Sequence, residues 1–350
     1  MMQKVLSYYG LDLSDYQIIP FGSGLINHTW KVSGQQNTFI LQRINHNVFV
    51  RPYDIDHNLQ LLSSYLSNTH PHYIFAAPLQ AKNGNHLIEL DSQYFRLFPF
   101  VKNSHTVNNL TESSQAYEAA LQFGKLTANL NNFDAAQLKY TITDFHNLNL
   151  RICQFNQALA NANQQRLLQS NQEITKIKQY LCIFDQYEQL KKDPAIKLRV
   201  IHHDAKINNV LFDDADRGLA VIDLDTMMPG YFISDVGDMM RTYLAQANEE
   251  EQDLNAIHVR VDFFAAIHAG YLEAMGKNLT SAEKSLFIYS GEFMIYMQAV
   301  RFLTDFLNND VYYLTKYEGQ NLARAQNQLK LLEEYIPAKP AFEQIVKRQS

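Results

Sequence analysis

The sequence predicts an α+β protein of two lobes, a small β-rich N-terminal lobe and a larger, mostly helical C-terminal lobe. Three observations carry this expectation. At 350 residues the chain exceeds the ~250 to 300 at which single cores stop growing. Short β-branched and aromatic runs crowd the first hundred residues, whereas amphipathic helical patterns dominate from Thr111 onward. Within the helical part, residues 198–223 form an acid-rich loop bracketed by short apolar runs.

Residues 18–45 suggest a twisted hairpin and a third strand, with a turn at 33–37. Gly22, Ser23 and Gly24 form a small glycine loop between the first two strands. Glycines there let the backbone approach phosphates and present N–H donors, although Gly-x-Gly alone most often means a turn. Position strengthens the phosphate assignment, because a nucleotide-binding lobe would place its phosphate cover here. The third strand should then carry a cation for the phosphates. Arg43 is the choice, with Gln42 the alternative if the register slips by one, since adjacent side chains point to opposite faces. A solvated strand charge is the plain alternative for Arg43.

Ile55, Leu59, Leu62 and Leu66 have helical spacing, but no Glu occurs between Asn45 and His70 to pair with that cation. Asp54, Asp56, Asn58 or Gln60 must substitute, or the cation is held otherwise. A second strand pair is expected at 85–90 and 93–101. Pro99 has no N–H for a ladder, so the strand should end there and the chain cross to the second lobe. The lobes are accordingly placed at 1–101, binding nucleotide, and 102–350, holding the catalytic loop and substrate site. Phe98 and Phe100, at the crossing, are placed to offer backbone groups to an adenine.

Beyond it, helices are expected at 112–130 and 145–159. Further helices start at two capping boxes, Ser170-x-x-Glu173 and Thr280-x-x-Glu283. Glu249, Glu250, Glu251 and Asp253 should open a helix, where acids are favoured by the dipole. The last long helix should run from about 320 to 335 and stop before Pro337.

The acid-rich loop carries the chemistry. His202-His203-Asp204-x-x-x-x-Asn209 follows one apolar run, and Asp223 ends the next. Any one of these residues alone would most simply cap a turn. Three in order, each beside a strand, match what phosphoryl transfer needs: a carboxylate at the acceptor hydroxyl, and a carboxamide and second carboxylate for the Mg²⁺ that bridges nucleotide phosphates.

A net charge of −6 argues against nucleic acid or anionic membrane as the main partner. No stretch approaches the ~18 apolar residues of a membrane span, and the start lacks an apolar signal core, so a cytoplasmic enzyme is expected. Cys153 and Cys182 suit neither a zinc site nor a disulfide framework and are expected as reduced core thiols.

These residues resemble the aminoglycoside and choline phosphotransferase superfamily, which shares the two-lobed protein-kinase-like fold. More narrowly, Gly-Ser-Gly-Leu-Ile-Asn-His-Thr at 22–29, Phe-Ile-Leu-Gln-Arg-Ile-Asn at 39–45 and the segments at 141–147, 204–212, 222–230, 301–305 and 321–324 look like kinases acting on N-acetylhexosamines. The resemblance implies ATP and Mg²⁺ as cofactors and the anomeric hydroxyl of an amino sugar as acceptor. It implies Asp204 as the catalytic acid/base, Asn209 and Asp223 as metal ligands, and His28, Asp225 and Arg301 as sugar contacts. Lys206 resembles the catalytic-loop lysine of protein kinases and would meet the transferred phosphoryl group; a surface lysine is the alternative. For Arg301 the alternative is an i,i+4 pair with Asp305. The chain departs from the pattern at His203, where many relatives have glycine. His202, Asp235 and Asp238 are expected to brace the loop.

Other acceptors within the class are choline, homoserine or another sugar. Outside it stand a metal phosphohydrolase, which would need further histidines, and a catalytically silent kinase-like binding protein, against which Asp204, Asn209 and Asp223 weigh.

Overall fold

The computed structural model of the chain describes residues 1–22 and 26–349. Helix α1 (Met2–Tyr8) leads into β1 (Tyr16–Pro20), β2 (His28–Gly34) and β3 (Thr38–Ile44), followed by α2 (Pro52–Thr69), β4 (Ile88–Leu90) and β5 (Gln93–Pro99). The five strands form one antiparallel sheet in the order β1-β2-β3-β5-β4. Strand alternation gives this sheet two different faces. Val32, Leu41, Phe95 and Leu97 pack on one face with Val5 and Leu6 of α1. Ile44 turns to the other and joins Ile55, Leu59, Leu62 and Leu66 of α2 in the main core of the molecule. Asn58 of α2 extends that contact, its amide donating to the carbonyls of Lys139 and Met227.

After β5 the chain crosses at residues 100–104 to β6 (His105–Thr106), which pairs with a strand of the second half. Helices α3 (Ser113–Asn129), α4 (Leu148–Asn161), α5 (Gln164–Gln169), α6 (Asn171–Gln179) and α7 (Cys182–Leu190) follow. Four short strands then frame the acid-rich loop: β7 (Arg199–Ile201), β8 (Val210–Phe212), β9 (Gly218–Val221) and β10 (Met228–Gly230). β7 pairs with β10, and β8 lies between β6 and β9. The closing helices are α8 (Ile233–Tyr243), α9 (Val261–Met275), α10 (Ser281–Ser285), α11 (Phe287–Leu307) and α12 (Gln320–Gln349). α11 is apolar on nearly every side and buried almost throughout, as the central helix of a lobe must be. It crosses α8 at Gly237, where a side chain would strike the Ser290 carbonyl, and so sets α8 beneath the loop.

Several expectations are corrected. Glu249, Glu250 and Glu251 open no helix: Glu249 pairs with Arg241 and Glu250 with Lys316 and Arg324, and α9 starts only at Val261. Helix α12 continues past Pro337 and Pro340, because Phe342 beyond them is fully buried and stacks on Phe264 at 3.9 Å. Tertiary packing there outweighs the missing N–H groups. The box at Thr280 and Glu283 forms, but Ser170 donates its hydroxyl to the Arg166 carbonyl and Glu173 accepts from Gln326, so no box closes at α6. Cys153 and Cys182 are free thiols at the surface, not in the core. Among the described residues no helix is long and apolar enough to cross a membrane.

Candidate active site

β7 ends in the core and delivers the polar loop at its C-terminal edge. His203 there has φ +67°, the left-handed conformation that glycine adopts freely. A histidine therefore holds a turn that would cost glycine nothing. The surroundings impose it: Asp235 of α8 accepts the backbone N–H groups of His202 at 2.8 Å and His203 at 2.6 Å, and His203 Nδ1 lies 3.1 Å from the Thr226 carbonyl. Burial drives the His203 imidazole down to about 3, so it is neutral at physiological pH. His202 Nε2 meets the Ile222 carbonyl at 3.0 Å, and the Tyr243 hydroxyl donates to the Ala205 carbonyl at 2.8 Å. With both sides pinned, the loop presents Asp204 in one orientation.

Asn209 donates its side-chain amide to the Asp204 carboxylate at 3.0 Å and to its carbonyl at 2.9 Å. Lys206 Nζ lies 3.2 Å from the other carboxylate oxygen, and Asp204 in turn raises the lysine's pKa. The Ile222 N–H donates to the Asn209 carbonyl, tying the end of β9 to the same loop. Asp223 follows with φ +59°. Burial first, then the Asp225 and Asp204 charges, push its carboxyl up to about 7. The structure thus brings Asp204, Lys206, Asn209 and Asp223 together. Asp238 of α8 lies below them, paired with Arg241 at 3.0 Å.

Asp225 is 1% exposed and faces the β-sheet. Asn27 donates to its Oδ2 at 2.8 Å, and Arg96 Nη2 of β5 lies 2.5 Å from Oδ1, a close ion pair rather than an aligned hydrogen bond. In this arrangement its carboxylate oxygens are engaged by Asn27 and Arg96 of the N-terminal lobe, where a sugar contact was expected.

Arg43 is likewise corrected. It lies on the sheet face away from the acids, bonded to Gln93 at 3.0 Å, and with His28 lines a pocket of about 240 Å³. His28 pairs in register with Arg43 and stacks on Trp30, on the sheet face that carries the α1 cluster. Gln42 holds the inward face of β3, as its alternative register requires, and its carbonyl oxygen accepts from Arg96. No acid of α2 makes an ion pair with a strand cation: Asp54 pairs with Arg51, and Asp56 accepts from Gln60, with the Arg96 charge acting on it only at longer range. Gly22 has φ +82° with open space around it, while Ser23 and Gly24 lie outside the described residues. Phe100 donates its N–H to the Thr38 carbonyl, so that donor is not free for a base; Phe98 pairs with Ile40, its ring under Arg96.

Arg301 makes no pair with Asp305, whose carboxylate accepts the N–H groups of Tyr312 and Tyr313. Its guanidinium lies 5.3 Å from the Phe145 ring and 5.5 Å from that of Tyr313. With Arg151, Gln154 and Tyr312 it lines an open cleft of about 430 Å³. Phe145 stacks on His146, whose ring lies 5.4 Å from that of His203, so a run of rings leads from Arg301 to the loop.

Sequence reasoning missed Arg96, Asn27 and Arg151. Arg96 is the one charge inside an apolar strand, 93–99, and that contrast was the available signal. Asn27 accepts the Asn45 N–H as well as donating to Asp225.

Asn209 and Asp223 offer oxygen ligands, and burial with the Asp225 and Asp204 charges holds the Asp223 carboxyl high, a penalty that a bound cation would relieve. That donor set fits a hard divalent cation such as Mg²⁺, which takes one or two protein oxygens and fills the rest with phosphates and water. Among the described residues no group of three or more His, Cys, Asp or Glu side chains suits a metal by itself.

A phosphotransferase enzyme family (APH) model matches residues 17–272 of this chain. Solved structures share the fold at low identity. A microcompartment-associated aminopropanol kinase aligns at TM-score 0.67 with 14% identity, covering 97% of both chains. A spectinomycin phosphotransferase bound to ADP and spectinomycin aligns at 0.62 with 14% identity, over 96% of this chain and 97% of that one. A choline kinase from Cryptosporidium parvum aligns at 0.54 with 15% identity, over 96% and 94%. The fold is therefore the two-lobed kinase-like one, a β-sheet lobe on a helical lobe. The chain belongs to the phosphotransferase enzyme family, and it is a small-molecule phosphotransferase with an alcohol group as acceptor.

Proposed function

We propose that this phosphotransferase transfers the γ-phosphate of ATP, with Mg²⁺, to the anomeric hydroxyl of an N-acetylhexosamine in the cytoplasm. The observation that carries the reading is the convergence of Asp204, Asn209 and Asp223 on one pinned loop. The γ-phosphorus forms a bond to the acceptor oxygen as its bond to the bridging oxygen of ADP breaks. The acceptor proton passes to Asp204. Because the transition state is loose, this carboxylate mainly orients the hydroxyl and takes the proton late. An anomeric hydroxyl is more acidic than an ordinary alcohol, so the carboxylate needs little tuning. Asn209 keeps Asp204 in place, and Lys206 faces the incoming phosphoryl group. Asn209 and Asp223 would hold Mg²⁺, which supplies charge neutralisation of the phosphates.

The cleft beside Phe145 supports a neutral acceptor. Arg151 and Arg301 both line it. Two guanidiniums outnumber the one lining carboxylate, Asp305, whose oxygens accept the Tyr312 and Tyr313 N–H groups, so they disfavour choline or a polycationic aminoglycoside, whereas they donate readily to sugar hydroxyls and to an acetamido carbonyl. Arg301 keeps its role as a sugar contact in this reading; His28 and Asp225 do not.

Phosphorus NMR of reactions with Mg-ATP and N-acetylglucosamine, N-acetylgalactosamine, choline, homoserine or an aminoglycoside tests the proposal. An acid-labile, alkali-stable sugar 1-phosphate is expected from an N-acetylhexosamine. ATP consumption identical with and without every acceptor would overturn it.

A further inference from the structure

We propose that Arg96 of β5 is the cation that binds the nucleotide's phosphates, and that Asp225 is the carboxylate that holds it in position. The inference rests on the reading of the chain as an ATP-dependent kinase. In kinase-like lobes a lysine on the third strand meets the phosphates and a glutamate on the next helix fixes it. This chain has neither part: Gln42 occupies the inward position on β3, and α2 contains no glutamate.

Arg96 stands directly across from Gln42 in the sheet register. It is 3% exposed, and both Nε and Nη2 donate to the Gln42 side-chain oxygen, at 3.0 and 2.5 Å. Nη2 also faces Asp225, and the Phe98 ring lies 5.0 Å from Cζ on one face. Among the described residues no protein acceptor meets Nη1. One edge of the guanidinium is thus fixed and the other retains donors, the arrangement a preorganised oxyanion partner requires.

The position is also right. Asp225 lies two residues past Asp223, and Asn27, at the exit of the glycine loop, donates to the same carboxylate. Asn27, the inner sheet face and the acid loop therefore meet at one buried carboxylate, and Arg96 is the strand cation at that junction. Arginine on β5 and aspartate on the acid loop do together what lysine on β3 and a helix glutamate do elsewhere.

Calorimetric titration of ADP with Mg²⁺, and separately of adenosine, into the wild type, Arg96→Gln, Arg96→Lys and Arg96→Gln/Gln42→Lys tests this. Arg96→Gln should weaken ADP about 10- to 100-fold, the loss of one charge-assisted contact, and leave adenosine within about twofold. The double variant should recover most of the ADP affinity, because a lysine at 42 returns the charge to the facing strand. Arg96→Lys keeps the charge with a single donor point, so it carries the test even if Arg96→Gln does not fold; about a three- to tenfold loss for ADP alone is expected. Equal losses for ADP and adenosine, or unchanged ADP binding, would show a purely structural strut and overturn the assignment. A wild type that binds no ADP would remove the kinase reading itself, and this assignment with it.

Discussion

Asp235 Oδ1 accepts the backbone N–H of His203 at 2.6 Å, and its Oδ2 takes that of His202. One buried carboxylate on α8 thereby satisfies both donors of a left-handed turn and aims the next residue, Asp204. Asp235→Asn turns an N–H₂ group toward one of those donors. We expect about 1 to 3 kcal/mol of lost stability in denaturant unfolding and a fall in kcat of at least ~10-fold. Unchanged kcat in a correctly folded variant would separate the turn from catalysis.

Asp204→Asn keeps the shape of the loop and removes the proton acceptor. We expect kcat to fall by about 10²- to 10⁴-fold while ADP affinity stays within a few-fold, from steady-state rates and calorimetry. Retained turnover would take Asp204 out of its assigned role.

Below about pH 7 Asp223 is kept protonated by burial and by its neighbours Asp225 and Asp204. Between the ordinary carboxyl value and about 7, the unfolded chain has lost a proton that the folded protein keeps. The contribution of this residue to stability therefore declines as pH rises through that window, and is constant above it. Asp223→Asn removes the penalty. The variant should match the wild type near pH 4, gain at least ~1 kcal/mol over it by pH 7, and lose phosphotransfer. Denaturant midpoints from pH 4 to 8, without metal or nucleotide, measure this; a difference that does not grow with pH contradicts it.

Arg301→Ala removes a guanidinium from the cleft beside Phe145. In acceptor-saturation kinetics, KM for the sugar should rise about tenfold, with kcat and KM for ATP within about threefold, as expected when uniform binding is lost. An effect on ATP alone would move the acceptor site elsewhere.

Glu283 is fully buried, pairs with Arg199 at 2.8 Å and closes the capping box of α10. Glu283→Ala leaves a buried guanidinium without its partner and should cost about 3 to 5 kcal/mol in unfolding. The kcat/KM of the molecules that remain folded should not change.

Much of this molecule was legible locally. The runs at 199–201, 210–212 and 218–221 became the strands that frame the loop, since short apolar segments between polar clusters leave the backbone few choices. Thr280 and Glu283 formed their box because its partners lie three residues apart. Ser170 did not, because its hydroxyl found a nearer carbonyl one turn back. The helix expected to end before Pro337 went on, because the anchor for its tail, Phe264, lies far away in sequence.

The sequence by itself determined the two-lobed class and the order Asp204, Asn209, Asp223, since periodicity and spacing within a few residues are enough for both. Only the tertiary structure decided which strand faces the acids with a charge. Arg43 and Gln42 are adjacent in sequence but on opposite faces of β3, and a one-residue difference in register exchanges them. The pairing of β3 with β5 and the 128 residues between Arg96 and Asp225 lie beyond any local pattern. Packing of one lobe on the other brought that arginine to that aspartate, and with it the charge that the third strand lacks.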